Sequence, residues 1–112
     1  MIVLTDVQKA EWIIALRGGE YVQGLRQFRV YDSGICLHCA FGVLADIHPQ
    51  MTFKGGGTLI DVEFESGTEA DDDAWSDLIC KIADDNDGGM SFNEIAVHLE
   101  QGKYDHLIPT GD

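Results

Sequence analysis

Two cysteines, Cys36 and Cys39, are separated by two residues, a spacing that metal sites and redox sites both use. Two thiolates at this spacing can hold one side of a zinc ion. A tetrahedral site needs two more ligands, which would have to come from Cys80, His48 or His98. A redox role instead requires a thiol with a depressed pKa, commonly at the start of a helix. The competing interpretation is that both cysteines are buried on an apolar helix, and the apolar residues around them favour it.

A second candidate metal site lies between residues 85 and 94, where the sequence resembles the loop of an EF-hand. With Glu94 at the twelfth position of that loop, Asp85 and Asp87 take the third and fifth positions. The first position is then Ala83, which has no side-chain oxygen, so calcium binding would be severely weakened. Glu94 also has capping-box spacing from Ser91, so a polar connection between two helices is the alternative.

Motifs that carry catalysis are absent from the sequence. It contains no nucleophile elbow, no phosphate-binding loop and no metalloprotease motif. We therefore predict that the chain is not an enzyme, and we expect no cofactor. Residues 91–96 could open a DNA-recognition helix. The acids around that segment greatly outnumber Lys81, however, and would repel phosphates, so we expect no direct binding to nucleic acid.

Charge is distributed unevenly along the 112 residues. Residues 1–56 contain five acids and five bases, whereas residues 57–112 contain fifteen acids and two lysines, so the net charge of −13 belongs to the second half. Such a surface disfavours anionic partners and favours a cation, a basic protein surface or simple solubility. The candidate partner-binding residues are the carboxylates that crowd one stretch: Asp61, Glu63, Glu65, Glu69, Asp71, Asp72 and Asp73.

Length and hydropathy predict one domain over residues 1–112. No apolar run approaches the roughly 18 residues that a membrane-spanning helix needs, and the N-terminus lacks the basic and apolar regions of a signal peptide. We therefore expect a cytoplasmic protein with no membrane partner. The sequence does not indicate an oligomeric state.

Hydrophobic periodicity predicts an α+β fold, with three to four helices packed with a small antiparallel sheet. Helices are predicted over residues 6–17, 35–47 after a short extended start, 72–84 and 92–101, and strands over 28–31 and 60–65. Residues 69–73 are predicted to form an acidic loop, and residues 85–89 a turn. Thr5 with Gln8 and Ser91 with Glu94 have the spacing of capping boxes. Gly42, inside the second helix, predicts a close contact with another helix.

Three stretches in order carry a family resemblance: the segment from Trp12 through Tyr21 to Gly24, the segment 36–46, and the segment 86–100. Together they resemble small bacteriophage and prophage proteins with no assigned activity. Those proteins carry a Trp…Ala-Leu-Arg-Ser-Gly-x-Tyr-x-Gln-Gly start, a Cys-Cys-Leu-Gly-Val-Leu-Cys-Asp helix and an Asn-Asp…Ser-Phe-x-Glu-Ile-Ala ending. Here alanine stands at two of the usual cysteine positions, Ala40 and Ala45, and Phe41 replaces leucine. This departure argues against a shared cysteine-based metal site and fits interchangeable core packing.

The resemblance and the charge asymmetry together predict a function by binding. The resemblance implies a phage or prophage origin, and therefore action inside a bacterial host cell. The acidic half predicts an accessory protein that binds a host protein with a basic surface, such as a nucleic-acid-handling or defence complex, which it would inhibit by resembling nucleic acid in charge. A small metal-binding module, using either Asp85, Asp87 and Glu94 or the pair Cys36 and Cys39, is the alternative.

Overall fold

The computed structural model describes residues 2–56 and 59–110. In these residues four α-helices and five strands form the fold, and a short 3₁₀ helix (Asp105–Leu107) follows the last α-helix. In chain order these elements are α1 (Asp6–Arg17), β1 (Val22–Gln23), β2 (Arg29–Asp32), β3 (Ile35–His38), α2 (Ala40–Ile47), β4 (Met51–Gly56), β5 (Leu59–Phe64), α3 (Glu69–Asp87) and α4 (Phe92–Glu100). The predicted α+β class is confirmed.

The strands form two small sheets. In the first sheet β3 is central: β2 pairs with it antiparallel, and the two-residue β1 pairs with it parallel. In the second sheet β4 and β5 form an antiparallel hairpin, in which Met51 faces Phe64 and Lys54 faces Asp61. Side chains alternate between the two faces of a strand, so Val62 and Phe64 face the core while Asp61 and Glu63 face solvent.

Capping explains where two helices begin. The Thr5 side chain accepts a hydrogen bond from the Gln8 amide, and the Gln8 side chain accepts one from the Thr5 amide. Ser91 and Glu94 form the same reciprocal pair at the start of α4. Both predicted capping boxes are therefore confirmed, and each satisfies two backbone donors that have no partner within the helix.

Helix α2 follows an extended segment, as predicted, but the contact at Gly42 differs from the prediction. A Cβ atom at this position would overlap with the backbone carbonyl oxygen of Phe28. The prediction of a helix contact is wrong, because Phe28 belongs to the segment that leads into β2. Glycine lets that backbone lie directly on the buried helix.

Helix α3 is longer than predicted at both ends. Thr68 accepts a hydrogen bond from the Asp71 amide and caps the helix, so residues 69–73 form its first turns and the prediction of an acidic loop is wrong. At the other end residues 85–87 are helical, so the predicted turn begins too early. The acids in the first turn of α3 stabilise the start of the helix, because their negative charge interacts favourably with the helix dipole.

The core lies where the helices and the hairpin meet, and two tryptophans organise it. Trp12 is fully buried and donates a hydrogen bond to the carbonyl oxygen of Ala40, 2.9 Å away. Trp75 is also fully buried, packs against Phe64 and donates to the carbonyl oxygen of Ile2. Both indole N–H groups thus have partners, which removes the penalty for burying them.

Within the part of the chain that the structure describes, no helix is both long and apolar enough to cross a membrane.

Candidate functional site

The carboxylates of the predicted partner-binding set lie on two elements, the β4–β5 hairpin and α3. Six of the seven are exposed to solvent: Asp61, Glu63, Glu65, Glu69, Asp72 and Asp73. Asp61 and Glu63 lie on the outward face of the hairpin, and Glu65 directly follows it. The sequence prediction thus identified an exposed group of carboxylates, with one exception.

The exception is Asp71, which is buried and cannot contact a partner. One of its carboxylate oxygens accepts a hydrogen bond from the Ile2 amide at 2.8 Å, and the other accepts hydrogen bonds from the hydroxyls of Ser66 and Thr68. The Ser66 hydroxyl and then the Ile2 amide lower the pKa of Asp71 below its ordinary value. Asp71 therefore ties the N-terminal segment to the start of α3, and it is removed from the binding set.

Two further carboxylates, Asp77 and Asp84, extend the acidic side of α3. Both are exposed, and Asp77 follows Glu69 and Asp73 at intervals of four residues, which places all three on one side of a helix. Trp75, Leu78 and Ile82 occupy the buried side of α3. The four-residue spacing of these acids is present in the sequence, but it indicates a shared helix face only if residues 69–73 are helical. The name acidic surface is used below for eight residues: Asp61, Glu63, Glu65, Glu69, Asp72, Asp73, Asp77 and Asp84.

In the described residues, three basic side chains lie on or against the hairpin and α3: Lys54, Lys81 and Arg29, whose guanidinium lies over the Phe53 ring. Lys54 lies across the hairpin from Asp61, and its ammonium nitrogen is 4.0 Å from a carboxylate oxygen of Glu63. Lys81 forms an ion pair with Asp85, one helical turn away. Both lysines are exposed, so their ion pairs contribute little to stability, while each lysine cancels one unit of negative charge.

A groove of about 260 Å³ separates the hairpin from α3. Its lining is Phe28, Lys54, Asp61, Val62, Phe64, Asp72, Ser76, Ile79 and Cys80. The groove brings Asp61 of one element and Asp72 of the other to the same concave feature. It is the place where the two halves of the acidic surface approach each other.

Cys36 and Cys39 lie in different parts of the fold. Cys36 lies within β3, whereas Cys39 is buried and caps α2, its sulfur accepting a hydrogen bond from the Gly42 amide. Burial raises the pKa of the Cys39 thiol, which is the opposite of what a reactive cysteine needs. The interpretation of both as buried residues of a helix is therefore wrong: Cys39 is buried but precedes α2 as its cap, and Cys36 is a half-buried strand residue.

The three carboxylates of the EF-hand-like segment each serve a separate hydrogen-bond network. Asp85 accepts from the Tyr104 hydroxyl, Asp87 accepts from the Arg26 amide, and Glu94 closes its capping box. Asp85 and Asp87 also lie inside α3, so the predicted loop does not form. In residues 2–56 and 59–110 no three His, Cys, Asp or Glu side chains come together as a metal site.

Two polar side chains, Gln23 and Asn86, form a hydrogen-bonded scaffold. Asn86 is fully buried; its carbonyl oxygen accepts from the Gln23 side chain and the Ala40 amide, and its amide nitrogen donates to the carbonyl oxygen of Gly24. Gln23 also donates to the carbonyl of Met90 and accepts from the first amide of α4. These two side chains connect β1 to the ends of three helices. Both side chains therefore have a role in holding the fold together.

Tyr21 and Asp46 form a second part of the scaffold. The Tyr21 hydroxyl donates to the Asp46 carboxylate, and the Tyr21 ring packs edge-on against His38. Burial, followed by the hydrogen bond to Asp46, raises the pKa of Tyr21 to about 12. Tyr21 therefore stays a neutral donor near pH 7.

His38 is buried between Tyr21 and Phe53, and neither of its ring nitrogens has a partner in the described protein. Burial lowers its pKa, so the imidazole is neutral near pH 7. Its neighbour across the strands, Arg29, lies over the Phe53 ring at 4.3 Å. The side chains of His38, Arg29 and Phe53 therefore pack against one another between the first sheet and the hairpin.

Comparison with known proteins adds no relative: no family model, no curated protein and no solved structure matches the chain. The acidic surface, by its geometry and charge, is therefore the feature that bears on function.

Proposed function

We propose that the chain is a phage or prophage accessory protein that binds a basic surface of a host protein through its acidic surface. The partner in this proposal is a nucleic-acid-handling or defence complex, and binding inhibits it by occupying the groove that normally holds phosphates. The observation that carries the proposal is the concentration of exposed carboxylates on α3 and the adjoining hairpin.

The density of charge supports a resemblance to nucleic acid. From Glu69 to Asp84 the helix rises about 22 Å at 1.5 Å per residue. Over that length α3 carries a net charge of −4, from Lys81 and five exposed acids: Glu69, Asp72, Asp73, Asp77 and Asp84. One strand of DNA carries about six phosphates over the same length, at one per 3.4 Å. The exposed acids of α3 thus provide about two-thirds of the charge of one strand, to which the carboxylates of the adjoining hairpin add.

The arrangement of the acids supports a binding role over stability. Six exposed acids in one segment repel one another, and Asp84 lies in the C-terminal part of α3, where the helix dipole disfavours negative charge. A partner with a basic surface would relieve both costs. It would also be attracted over long range, and this attraction would weaken as salt screens it.

The experiment that tests the proposal is capture of proteins from a bacterial lysate on the immobilised chain, at low and at high salt. In one variant Asp61, Glu69, Asp72 and Asp73 are changed to their amides. In the matched control the same change is made at four exposed acids of the neutral half: Asp6, Glu11, Glu20 and Asp32. Both variants lose four charges, so they differ only in where the charge is removed.

We expect the wild type and the control variant to retain the same partner at low salt and to release it at high salt. The variant of the acidic surface should retain at least about tenfold less, since removing charges that meet a complementary surface costs more than about 1.4 kcal/mol in sum. Equal retention of the partner by the two variants, or retention that is the same at low and at high salt, would refute the proposal.

A further inference from the structure

The groove between the hairpin and α3 combines an apolar floor with an acidic rim. Phe28, Val62, Phe64 and Ile79 provide the apolar part, and Phe28 and Ile79 are only half-buried, so they present apolar surface to the groove. The exposed Asp61 stands on the hairpin side and the exposed Asp72 on the helix side. At about 260 Å³ the groove is smaller than the roughly 300–1,000 Å³ typical of small-molecule pockets, and it suits a single side chain.

We propose that this groove is the anchor point of the acidic surface, and that it takes an arginine side chain of the protein partner. The inference rests on the proposed function and adds the chemistry of the partner residue. The methylene groups of the arginine would cover the apolar floor, and its guanidinium would lie at the rim between Asp61 and Asp72. Charge complementarity and the apolar floor together select a side chain that is apolar along its stem and cationic at its end.

Arginine fits this groove better than lysine for two physical reasons. Its guanidinium is planar and can donate paired hydrogen bonds to carboxylates, whereas an ammonium is a compact point charge. The guanidinium is also more weakly hydrated and stacks on aromatic rings, and the groove offers the partly exposed ring of Phe28. An ammonium would have to give up more of its hydration beside the same apolar floor.

Lys54 is a cation of the chain itself that competes with a partner arginine for the carboxylates at the groove. It lines the groove, lies opposite Asp61 in the hairpin and approaches Glu63 at 4.0 Å. A partner arginine must share these carboxylates with Lys54. Replacing Lys54 by methionine should therefore strengthen binding of an arginine, because the competing cation is removed while an apolar stem of similar length is kept.

The experiment uses two short fluorescent peptides of equal charge, one of repeating Gly-Ser-Arg and one of repeating Gly-Ser-Lys, titrated with the full-length chain while anisotropy is recorded. We expect the arginine peptide to bind at least about fivefold more tightly. Lys54→Met should increase its affinity by about threefold or more. The double variant Asp61→Asn with Asp72→Asn should remove the preference for arginine.

The matched control is the double variant Asp77→Asn with Asp84→Asn, which removes the same charge from α3 outside the groove lining. It should weaken both peptides slightly and equally, and leave the preference for arginine intact. A third variant, Ser76→Trp, fills the groove without changing its charge. It should remove only the preference for arginine. Circular dichroism and thermal melting verify that each variant is folded.

The outcomes separate this inference from the proposed function. Equal binding of the two peptides, or equal effects of the two double variants, would overturn the arginine anchor. Salt-sensitive capture of a host partner would survive either result. A different result is that the preference for arginine is found while the variant of the acidic surface captures as much partner from the lysate as the control variant does. In that case the proposed function fails and the groove remains an arginine-binding site.

Discussion

At the scale of single residues, Asn86 shows how a polar side chain can hold several elements together. It is fully buried, and its hydrogen bonds reach β1, the loop after it and the first turn of α2. The amide of Ala40 is one of the helix-start donors that have no partner within α2. Asn86 therefore supplements the local cap of α2, in which the Cys39 sulfur accepts from the Gly42 amide.

Replacing Asn86 by alanine should lower the free energy of unfolding by about 3 kcal/mol. The change leaves at least the Ala40 amide and the Gly24 carbonyl without their partner, and each unsatisfied buried group costs about 1–3 kcal/mol. Urea denaturation followed by circular dichroism measures the effect. The control is Asn93→Ala on the exposed side of α4, expected to change stability by less than about 0.5 kcal/mol. Similar effects of the two changes would contradict the structural role given to Asn86.

The roles of single residues could be predicted from the sequence only where their partners are close along the chain. Both capping boxes join residues three positions apart, and the sequence predicted them. Asp71 was wrongly placed in the binding set, because the backbone amide that it binds, that of Ile2, lies 69 positions away in the sequence. Asn86 was not singled out for the same reason: its partners on Gln23 and Gly24 become neighbours only when the chain is folded.

At the scale of elements, α2 is the buried helix against which the other elements pack. Most of its residues are buried, including Phe41, which contacts the rings of Trp12, Phe28 and Trp75. Gly42 lies on the same helix and permits the backbone at Phe28 to approach. The position of this backbone matters for function, because Phe28 also lines the groove.

Gly42→Ala should therefore destabilise the fold, although alanine is the better helix former by about 1 kcal/mol. The added methyl would overlap with a backbone carbonyl, which must move, and overpacking of this kind costs about 1–3 kcal/mol or more. We expect a net loss of about 2 kcal/mol in thermal or urea unfolding. Gly18→Ala, at the exposed end of α1, is the comparison and should change stability by less than about 0.5 kcal/mol. An unchanged or higher stability of Gly42→Ala would show that the contact is not tight.

Elements were predicted well where one pattern dominates, and less well where two patterns compete. The alternating residues 60–65 gave the strand of the hairpin, and the apolar run 35–47 gave an extended start followed by a helix. At residues 69–73 the density of acids suggested a loop. The decisive signal was Thr68 three positions before Asp71, which has the spacing of a helix cap.

At the scale of the whole molecule, the fold sorts the uneven charge of the sequence into regions with different roles. Three acids of the second half are used in the scaffold: Asp71, Asp85 and Asp87 each accept hydrogen bonds from distant parts of the chain. The acids of the acidic surface remain exposed on α3 and the hairpin. The sequence predicted the excess of charge, but only the fold separates structural carboxylates from those available to a partner.

The most direct measurement of the central claim is competition between the acidic surface and nucleic acid for the same partner. The host protein captured by the immobilised chain at low salt is challenged with increasing single-stranded or duplex oligonucleotide, with a neutral polymer as the control at equal ionic strength. We predict that the oligonucleotide releases the partner in a concentration-dependent manner and that the neutral polymer does not. A partner that stays bound at saturating oligonucleotide would contradict the account, because the acidic surface would then not occupy a site for phosphates.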